Sequence, residues 1–216
     1  MISVAPHPLL DVRAFYTHFP KALGGYSDAE LSTIRLFFGP SKKVPISFVE
    51  TKGLIRDLLR TNGFSPSGRN KPAHEYLDKA IEKGWFTESS GINAAVDVCN
   101  VISLHSKLPI SVLDKSKISP PLLLRCCDAG TVYPFNPSGQ LLKAGGLLSL
   151  HDAKGPTASP VKDAQRSKTD KNTTDTLSII WSHRALNEHT DNTEAWYKAL
   201  LIELGAQIHP IQLIMQ

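Results

Sequence analysis

Cysteine is scarce in this sequence. The 216 residues include only three cysteines, Cys99, Cys126 and Cys127, which excludes a framework of paired disulfides, and two adjacent cysteines do not readily bridge each other. No CxxC pair or His–Cys cluster has the spacing of zinc ligands, so no metal site is predicted. Because free cysteine is often buried, we interpret Cys126 and Cys127 as two positions of a buried strand.

Long apolar runs are also missing. No segment approaches the roughly 20 consecutive apolar residues that a transmembrane helix needs. The N-terminal stretch MISVAPHPLLDVRAF lacks the basic head and apolar core of a signal peptide. These two absences predict a soluble, cytoplasmic protein with no membrane partner.

The common catalytic fingerprints are absent as well. The chain contains no GxSxG elbow, no P-loop and no glycine-rich dinucleotide motif, so serine hydrolases, nucleotide hydrolases and dehydrogenases have no support. His183 and His189 lie six residues apart, which is not a metal-ligand spacing. We therefore predict no cofactor.

What the sequence does contain is an alternation of short apolar segments. Hydrophobic residues make up 41% of the chain, enough for the core of one large domain or of two intimate ones. Helices are predicted mainly in the first half and near the end, and short strands cluster in the second half, which indicates an α+β fold. The predicted helices are 27–37, 53–61, 72–83, 94–106 and 193–204, and the predicted strands are 44–49, 122–126, 131–133, 140–142, 147–150, 177–181 and 208–214.

One segment, residues 155–175, is predicted to be a long loop. It lacks large apolar residues and so has little to bury. Loops of this kind are either functional or disordered, and the sequence does not distinguish the two.

The predicted helix over 94–106 is the most informative part of the chain. Asn93 stands where an N-cap is expected, and no proline or glycine interrupts the stretch that follows. Asp97, Asn100 and Ser103 recur every three residues, which places them on neighbouring stripes of the helix. The predicted helix is therefore mostly hydrophobic, with polar residues along one edge.

The same segment carries a family resemblance. Residues 96–100, VDVCN, are followed after an apolar spacer by residues 108–114, LPISVLD. Together they resemble the tRNA-binding and editing domain in the beta subunit of bacterial phenylalanyl-tRNA synthetase, and they are similar to free-standing bacterial proteins that carry this domain alone. Residues 62–66, 71–77 and 166–173 follow the pattern of the same family in the same order.

The resemblance covers residues 54–216 and implies a single compact domain with mixed or antiparallel short-strand sheets and flanking helices. Residues 1–53 match no pattern and are predicted to be an unassigned N-terminal segment packed on that domain. The implied partner is tRNA or the end of an aminoacyl-tRNA.

Site residues follow from the resemblance position by position. Asn100 matches the pocket asparagine of the family, Cys99 stands where threonine is usual, and Ser111 stands where histidine is usual. Asn100 and Ser111 are therefore the predicted catalytic residues. The predicted substrate-binding residues are Asp97, Cys99, Ser103, Pro109, Lys168 and Thr169.

Two functions remain open at this point. The first is a trans-editing esterase that hydrolyses a mischarged aminoacyl-tRNA, in which Asn100, Ser111, backbone donors and the terminal ribose assist water. The second is a non-catalytic module that binds RNA or a small amino-acid-like ligand in an inherited pocket. The serine at 111 favours the second, because a hydroxyl cannot act as a base near neutral pH. Residues 177–181 also lack the carboxylate that the synthetase domain carries in that region.

Less specific interpretations fit the same residues. Asn100 could satisfy backbone groups of a nearby loop, since a buried amide must find partners. Asp97 could serve as a cap or turn residue. A protein-interaction domain with a vestigial pocket is a third alternative.

Basic residues are concentrated in two places. Lys52, Arg56 and Arg60 recur every four residues along the predicted helix 53–61, and five cations outnumber two carboxylates over residues 154–171. Such groups would give salt-sensitive affinity for RNA phosphates, although a solvated surface has the same composition. The predicted RNA-binding residues are Lys52, Arg56, Arg60, Lys162 and Arg166.

Overall fold

Short helices and short strands alternate along the chain, and the computed structural model describes residues 1–39, 43–84, 87 and 91–216. The α-helices within these residues are α1 (Asp28–Arg35), α2 (Lys52–Arg60), α3 (Ala73–Glu82), α4 (Ala94–Ser106) and α5 (Asn187–Glu203). The strands are β1 (Ile2–Val4), β2 (Leu10–His18), β3 (Ile110–Asp114), β4 (Leu123–Cys126), β5 (Val132–Pro134), β6 (Leu141–Lys143), β7 (Leu148–Asp152), β8 (Gly155–Ala158), β9 (Asp175–His183), β10 (Gln207–Pro210) and β11 (Leu213–Met215).

Two sheets organise the described part of the chain. The first has four strands in the order β10-β2-β9-β3, and all of its pairs are antiparallel. The second has five strands in the order β11-β1-β4-β7-β8, in which β1 is parallel to both of its neighbours. A separate hairpin pairs β5 with β6. The α+β class with mixed and antiparallel sheets is confirmed.

The four-stranded sheet lies between the helices and the second sheet. Phe15 of β2 and Ile180 of β9 pack into the core formed with α1, α4 and α5. Their neighbours Ala14 and Ile179 point to the opposite face, since side chains alternate along a strand, and pack into a second core with β1, β4 and β7. A sheet covered on both faces explains why β9 is buried at every position after its first.

Helix starts follow local signals in the sequence. The Ser27 hydroxyl accepts a hydrogen bond from the Glu30 backbone N–H while the Glu30 carboxylate accepts one from the Ser27 N–H, a capping box that opens α1. Asn93 caps α4 by accepting from the Val96 N–H at 3.0 Å. The predicted bounds of α4 are confirmed.

Several strand predictions are wrong. Residues 44–49 contain no strand, and the single strand predicted over 208–214 is two strands, β10 and β11, in different sheets. Residues 110–114, for which no strand is predicted, form β3, whose five positions are all buried.

Residues 155–175 are predicted to be a loop with little to bury, but in the structure they contain regular elements and buried side chains. They contain β8 and a 3-10 helix (Gln165–Ser167), and their small side chains are packed inward, with Thr157 and Ser167 fully buried. Further upstream, β2 pairs with β9 along its whole length. The sheets therefore run across the boundary predicted at residue 53.

Among the described residues, none of the helices combines the length and the apolar character required to cross a bilayer.

Candidate functional site

A cavity of about 270 Å³ opens beside the N-terminal half of α4. Asn93, Val96 and Asn100 line it from the helix side, and Ile110 and Val112 line it from β3. The third wall is the chain from Asp163 to Thr169, which an isolated bridge between Leu113 and Lys168 holds against β3. Of the eight residues predicted to contact substrate, the structure brings Asn100, Cys99, Lys168 and Thr169 to this cavity.

Asn100 presents an unused amide to this cavity. The residue is half-buried, and within the described residues its side chain makes no hydrogen bond. An amide offers two donors and one acceptor oxygen. The alternative that Asn100 only satisfies backbone groups of a nearby loop therefore has no support in the contacts of the described chain.

Asp163 is the cavity residue that the sequence did not single out. Its Oδ1 accepts from the Ser111 hydroxyl at 2.7 Å and from the Ser159 backbone N–H at 3.1 Å. No hydrogen bond reaches Oδ2 from any described residue, so this oxygen is available to a ligand. The available signal was that Asp163 is the only carboxylate in an otherwise basic stretch, residues 154–169.

The electrostatic surroundings of Asp163 set its protonation. Desolvation raises the pKa of Asp163 to about 6, against the hydrogen bonds from Ser111 and Ser159 and the nearby Lys168 ammonium, which all lower it. The group is therefore mostly a carboxylate above neutral pH and can also accept a proton there.

Ser111 lies beneath the cavity and is not one of its lining residues. It is 1% exposed, donates to Asp163 and accepts from the Trp181 indole N–H at 3.0 Å. The prediction that Ser111 acts directly on substrate is corrected, because its one proton is donated to Asp163 and its hydroxyl is buried beneath the cavity wall. It is a positioning residue for Asp163.

Lys168 and Thr169 form the rim opposite α4. Lys168 Nζ donates to the Phe135 carbonyl at 2.7 Å, which leaves two of the three ammonium protons for other partners. The Thr169 hydroxyl accepts a long hydrogen bond, 3.4 Å, from the Asn93 side chain. Both rim residues therefore have polar capacity that a ligand could use.

Cys99 lines the cavity, but its thiol is not ionised near neutral pH. Burial raises the pKa of its thiol to about 12, so the thiolate that a nucleophilic cysteine needs is not formed near neutral pH. Its role at this position is to provide a small apolar wall.

Three predicted substrate contacts belong to the scaffold. Asp97 is fully buried, pairs with Arg35 at 2.9 Å and accepts from the Ile92 N–H at 2.8 Å. Ser103 donates to the Leu108 carbonyl at 2.7 Å, and the Pro109 carbonyl accepts from the Trp181 backbone N–H at 3.0 Å. All three are corrected, because their polar groups stabilise the ends of α4 and β3 and do not line the cavity.

The predicted RNA-binding cations differ in whether their side chains are already bound to other groups of the chain. Arg166 donates two hydrogen bonds to Asp152 at 2.9 and 2.7 Å, and Arg56 donates two to Glu75, each at 2.8 Å. Lys162 donates to the Arg69 carbonyl and lies 4.1 Å above the Phe135 ring.

The two remaining cations of this set are on the surface. Arg60 pairs with Asp57 on an exposed face of α2, and Lys52 is exposed.

No group of three or more His, Cys, Asp or Glu side chains in the described ranges is placed to hold a metal ion.

Comparisons with known proteins find a structure of similar fold but no protein of similar sequence. No family model matches the chain, and no curated protein matches it. Among solved structures, a similar fold occurs in an N-terminal fragment of the phenylalanyl-tRNA synthetase beta subunit from Pyrococcus horikoshii, with a TM-score of 0.56 and 10% sequence identity. The match covers 100% of this chain and 52% of that fragment.

The chain thus spans about half the length of the fragment that it matches. At 10% identity the likeness shows the fold alone. It agrees with the α+β architecture, and the chemistry of the site rests on the residues described above.

Proposed function

We propose that the cavity beside α4 binds the aminoacyl end of an aminoacyl-tRNA. The observation that carries the proposal is the presence of two unused polar groups, the Asn100 amide and Asp163 Oδ2, in one cavity. The volume of about 270 Å³ lies just below the roughly 300–1,000 Å³ of small-molecule sites, which suits an amino acid better than a whole nucleotide. The fold shared with a synthetase beta-subunit fragment supports the same ligand class.

Each part of an aminoacyl ester has a matching group at the cavity. The α-ammonium pairs with the carboxylate of Asp163, and the ester carbonyl accepts from the Asn100 amide. The amino-acid side chain packs against Ile110 and Val112, which form the apolar wall.

The RNA strand reaches the cavity across a small basic and aromatic patch. Lys162 lies over the Phe135 ring at 4.1 Å, and Lys168 donates to the carbonyl of the same residue. Arg69 and Lys168 both lower the pKa of Lys162, after the larger effect of desolvation, which shows how closely these cations are gathered. Aromatic rings beside cations suit a single strand, because bases stack while phosphates pair with the charges.

Ester hydrolysis is the second candidate function, and the pKa of Asp163 favours it. In this role Asp163 faces the attacking water instead of pairing with the α-ammonium, and a carboxylate with a pKa of about 6 can take a proton from water near neutral pH. The water oxygen would then attack the ester carbonyl carbon, and the bond to the ribose oxygen would break. The ribose oxygen would leave with the proton that Asp163 had received, and the products would be the free amino acid and uncharged tRNA.

Binding is tested by comparing charged with uncharged tRNA in a filter assay. The wild-type chain should prefer the aminoacylated form, and Asn100→Ala and Asp163→Asn should each lose about tenfold of that preference, the equivalent of one lost hydrogen bond or ion pair. Asn172→Ala is the control, because Asn172 is an exposed asparagine outside the cavity. Equal affinity for charged and uncharged tRNA would reject the proposal.

Hydrolysis is tested with the same proteins and a panel of mischarged tRNAs. Ester loss that needs Asp163 and rises with pH through about 6 supports the enzyme. Time courses that stay flat across the panel reject hydrolysis and leave binding standing.

The RNA patch is tested by charge reversal. Lys162→Glu should weaken binding of all tRNAs and reduce the steepness of its salt dependence, whereas Lys154→Glu, at an exposed position outside the patch, should have a smaller effect. Identical salt profiles for the two variants would remove the patch from the account.

A further inference from the structure

A second cavity, of about 280 Å³, lies between α2 and α3. Lys107, the left-handed C-cap of α4, closes one side of it. Asn100 and Lys107 are seven residues apart on the same helix, so the two cavities lie roughly 10 Å apart along α4. They share no lining residue.

The lining of this second cavity is strongly charged. Five cations and four carboxylates face it. Two of the cations are neutralised, since Arg56 is bound to Glu75 by two hydrogen bonds and Lys107 pairs with Asp78.

Three cations of the cavity remain without a carboxylate partner in the described chain, namely Lys52, Lys71 and Lys79. Of the remaining carboxylates, Glu50 accepts from the Lys52 backbone N–H at 3.1 Å, and Glu82 stands at the C-terminal end of α3. The lining therefore carries one more cation than carboxylates, and three of its ammonium groups are free of ion pairs with the described residues.

Two of these lysines lie next to each other. Both line the cavity, and Lys79 lowers the pKa of Lys71 because the nearby like charge disfavours the protonated form. A bound anion would offset the repulsion between these two charges.

A buried imidazole completes the cavity. His74 is 2% exposed, and its Nδ1 is buried without a hydrogen-bond partner in the described chain. Burial lowers the pKa of His74 to about 4, so the ring is neutral near pH 7 and has one N–H to donate. The ring is one of the lining residues, and its N–H is a donor on that wall of the cavity.

We propose that the cavity between α2 and α3 binds a phosphate group, which its three unpaired lysines and the imidazole of His74 hold. A phosphate monoester carries about −1.5 to −2 charge and three acceptor oxygens, and a backbone phosphodiester carries a single negative charge on its non-bridging oxygens; both can accept from several ammonium donors at once. The phosphate belongs either to an RNA backbone or to a small phosphorylated metabolite. The inference stands apart from the proposed aminoacyl site.

Calorimetry with inorganic phosphate on the full chain tests the site, at an ionic strength held constant with sodium chloride. Saturable binding is expected, with movement of the His74 imidazole signals in NMR spectra. The double variant Lys71→Gln/Lys79→Gln should bind at least tenfold more weakly. Arg60→Gln is the matched control, because Arg60 is a cation of the same α2 helix that does not line the cavity.

The source of the phosphate is separated with a short single-stranded RNA as a second probe. RNA binding that the double variant weakens, and that inorganic phosphate competes with, assigns the site to the RNA backbone. RNA binding that the double variant leaves unchanged, with phosphate binding lost, assigns it to a small phosphorylated molecule.

Two results overturn the inference, namely no saturable phosphate binding by the wild-type chain, or equal affinity in the wild-type and double-variant proteins. Asn100→Ala should leave phosphate binding unchanged. A failure at this cavity can therefore be told from a failure at the aminoacyl site.

Discussion

The Ser111 hydroxyl donates a 2.7 Å hydrogen bond to Asp163, which lies 52 residues further along the chain. The bond joins the edge strand β3 to the segment that closes the candidate site. Ser111 Oγ also accepts from the Trp181 indole N–H at 3.0 Å. One buried hydroxyl thus fixes the carboxylate of the cavity and satisfies a core tryptophan.

Ser111→Ala should lower the free energy of unfolding by about 1–3 kcal/mol, because it leaves the buried Trp181 N–H without an acceptor. The urea midpoint should fall while the slope of the transition stays constant. Ser32→Ala, at an exposed position of α1, is the control and should stay within about 0.5 kcal/mol of wild type. Equal midpoints for wild type and Ser111→Ala would contradict this account of the hydrogen bond.

Asp163 should make stability depend on pH in a direction opposite to most carboxylates. Its pKa in the folded chain is about 6 against an ordinary value of 3.8, so the native state binds this proton more tightly than the unfolded state. The contribution is favourable below about 4 and is lost as pH rises through 6. A pKa difference of about two units corresponds to at most about 3 kcal/mol of unfolding free energy, and partial solvent access of the carboxylate reduces this value.

The measurement is the difference in unfolding free energy between Asp163→Asn and wild type. That difference should move in favour of the variant as pH rises from about 4 to 7. Taking the difference cancels the histidines and other carboxylates that titrate in the same window. A difference that is constant across these pH values would show that the pKa of Asp163 is not raised.

Asp97→Ala should destabilise the fold, because Asp97 belongs to the scaffold and does not itself line the cavity. Among the described residues, removal of this carboxylate leaves the buried Arg35 guanidinium with the exposed Asp28 as its one remaining ion-pair partner, and breaking a buried pair costs about 3–5 kcal/mol. Asp57→Ala breaks the exposed pair with Arg60 and should cost less than about 1 kcal/mol.

Ligand binding measured below the melting temperature separates the two roles of Asp97. The variant should keep the affinity of the wild-type chain. A large loss of affinity in folded protein would return Asp97 to the site.

The parts of the fold that the sequence predicts are those with local causes. Asn93 and the uninterrupted run after it define α4, and Ser27 with Glu30 defines the start of α1, because a cap and its partner lie within one turn. The class of the fold follows from the distribution of these segments.

The parts that the sequence does not predict depend on distant partners. β3 has no alternation of polar and apolar residues, because both faces are covered in the structure, and Ser111 gives no strand signal. Asp163 lies in a segment without large apolar residues, and its contact with β3 and its place in the cavity wall depend on the tertiary structure. Spacing on a helix placed Asp97 beside Asn100, but it could not show that Arg35 already pairs with Asp97.

The central claim is that the Asn100 amide and Asp163 together receive the aminoacyl group. The most direct measurement is an NMR titration of the labelled full chain with an amide-linked aminoacyl-adenosine, which cannot hydrolyse. The account predicts saturable movement of the Asn100 side-chain amide signals, and affinity at least tenfold lower in Asp163→Asn. Asn100 signals that stay in place at saturating ligand, or equal affinity in the variant, would contradict it.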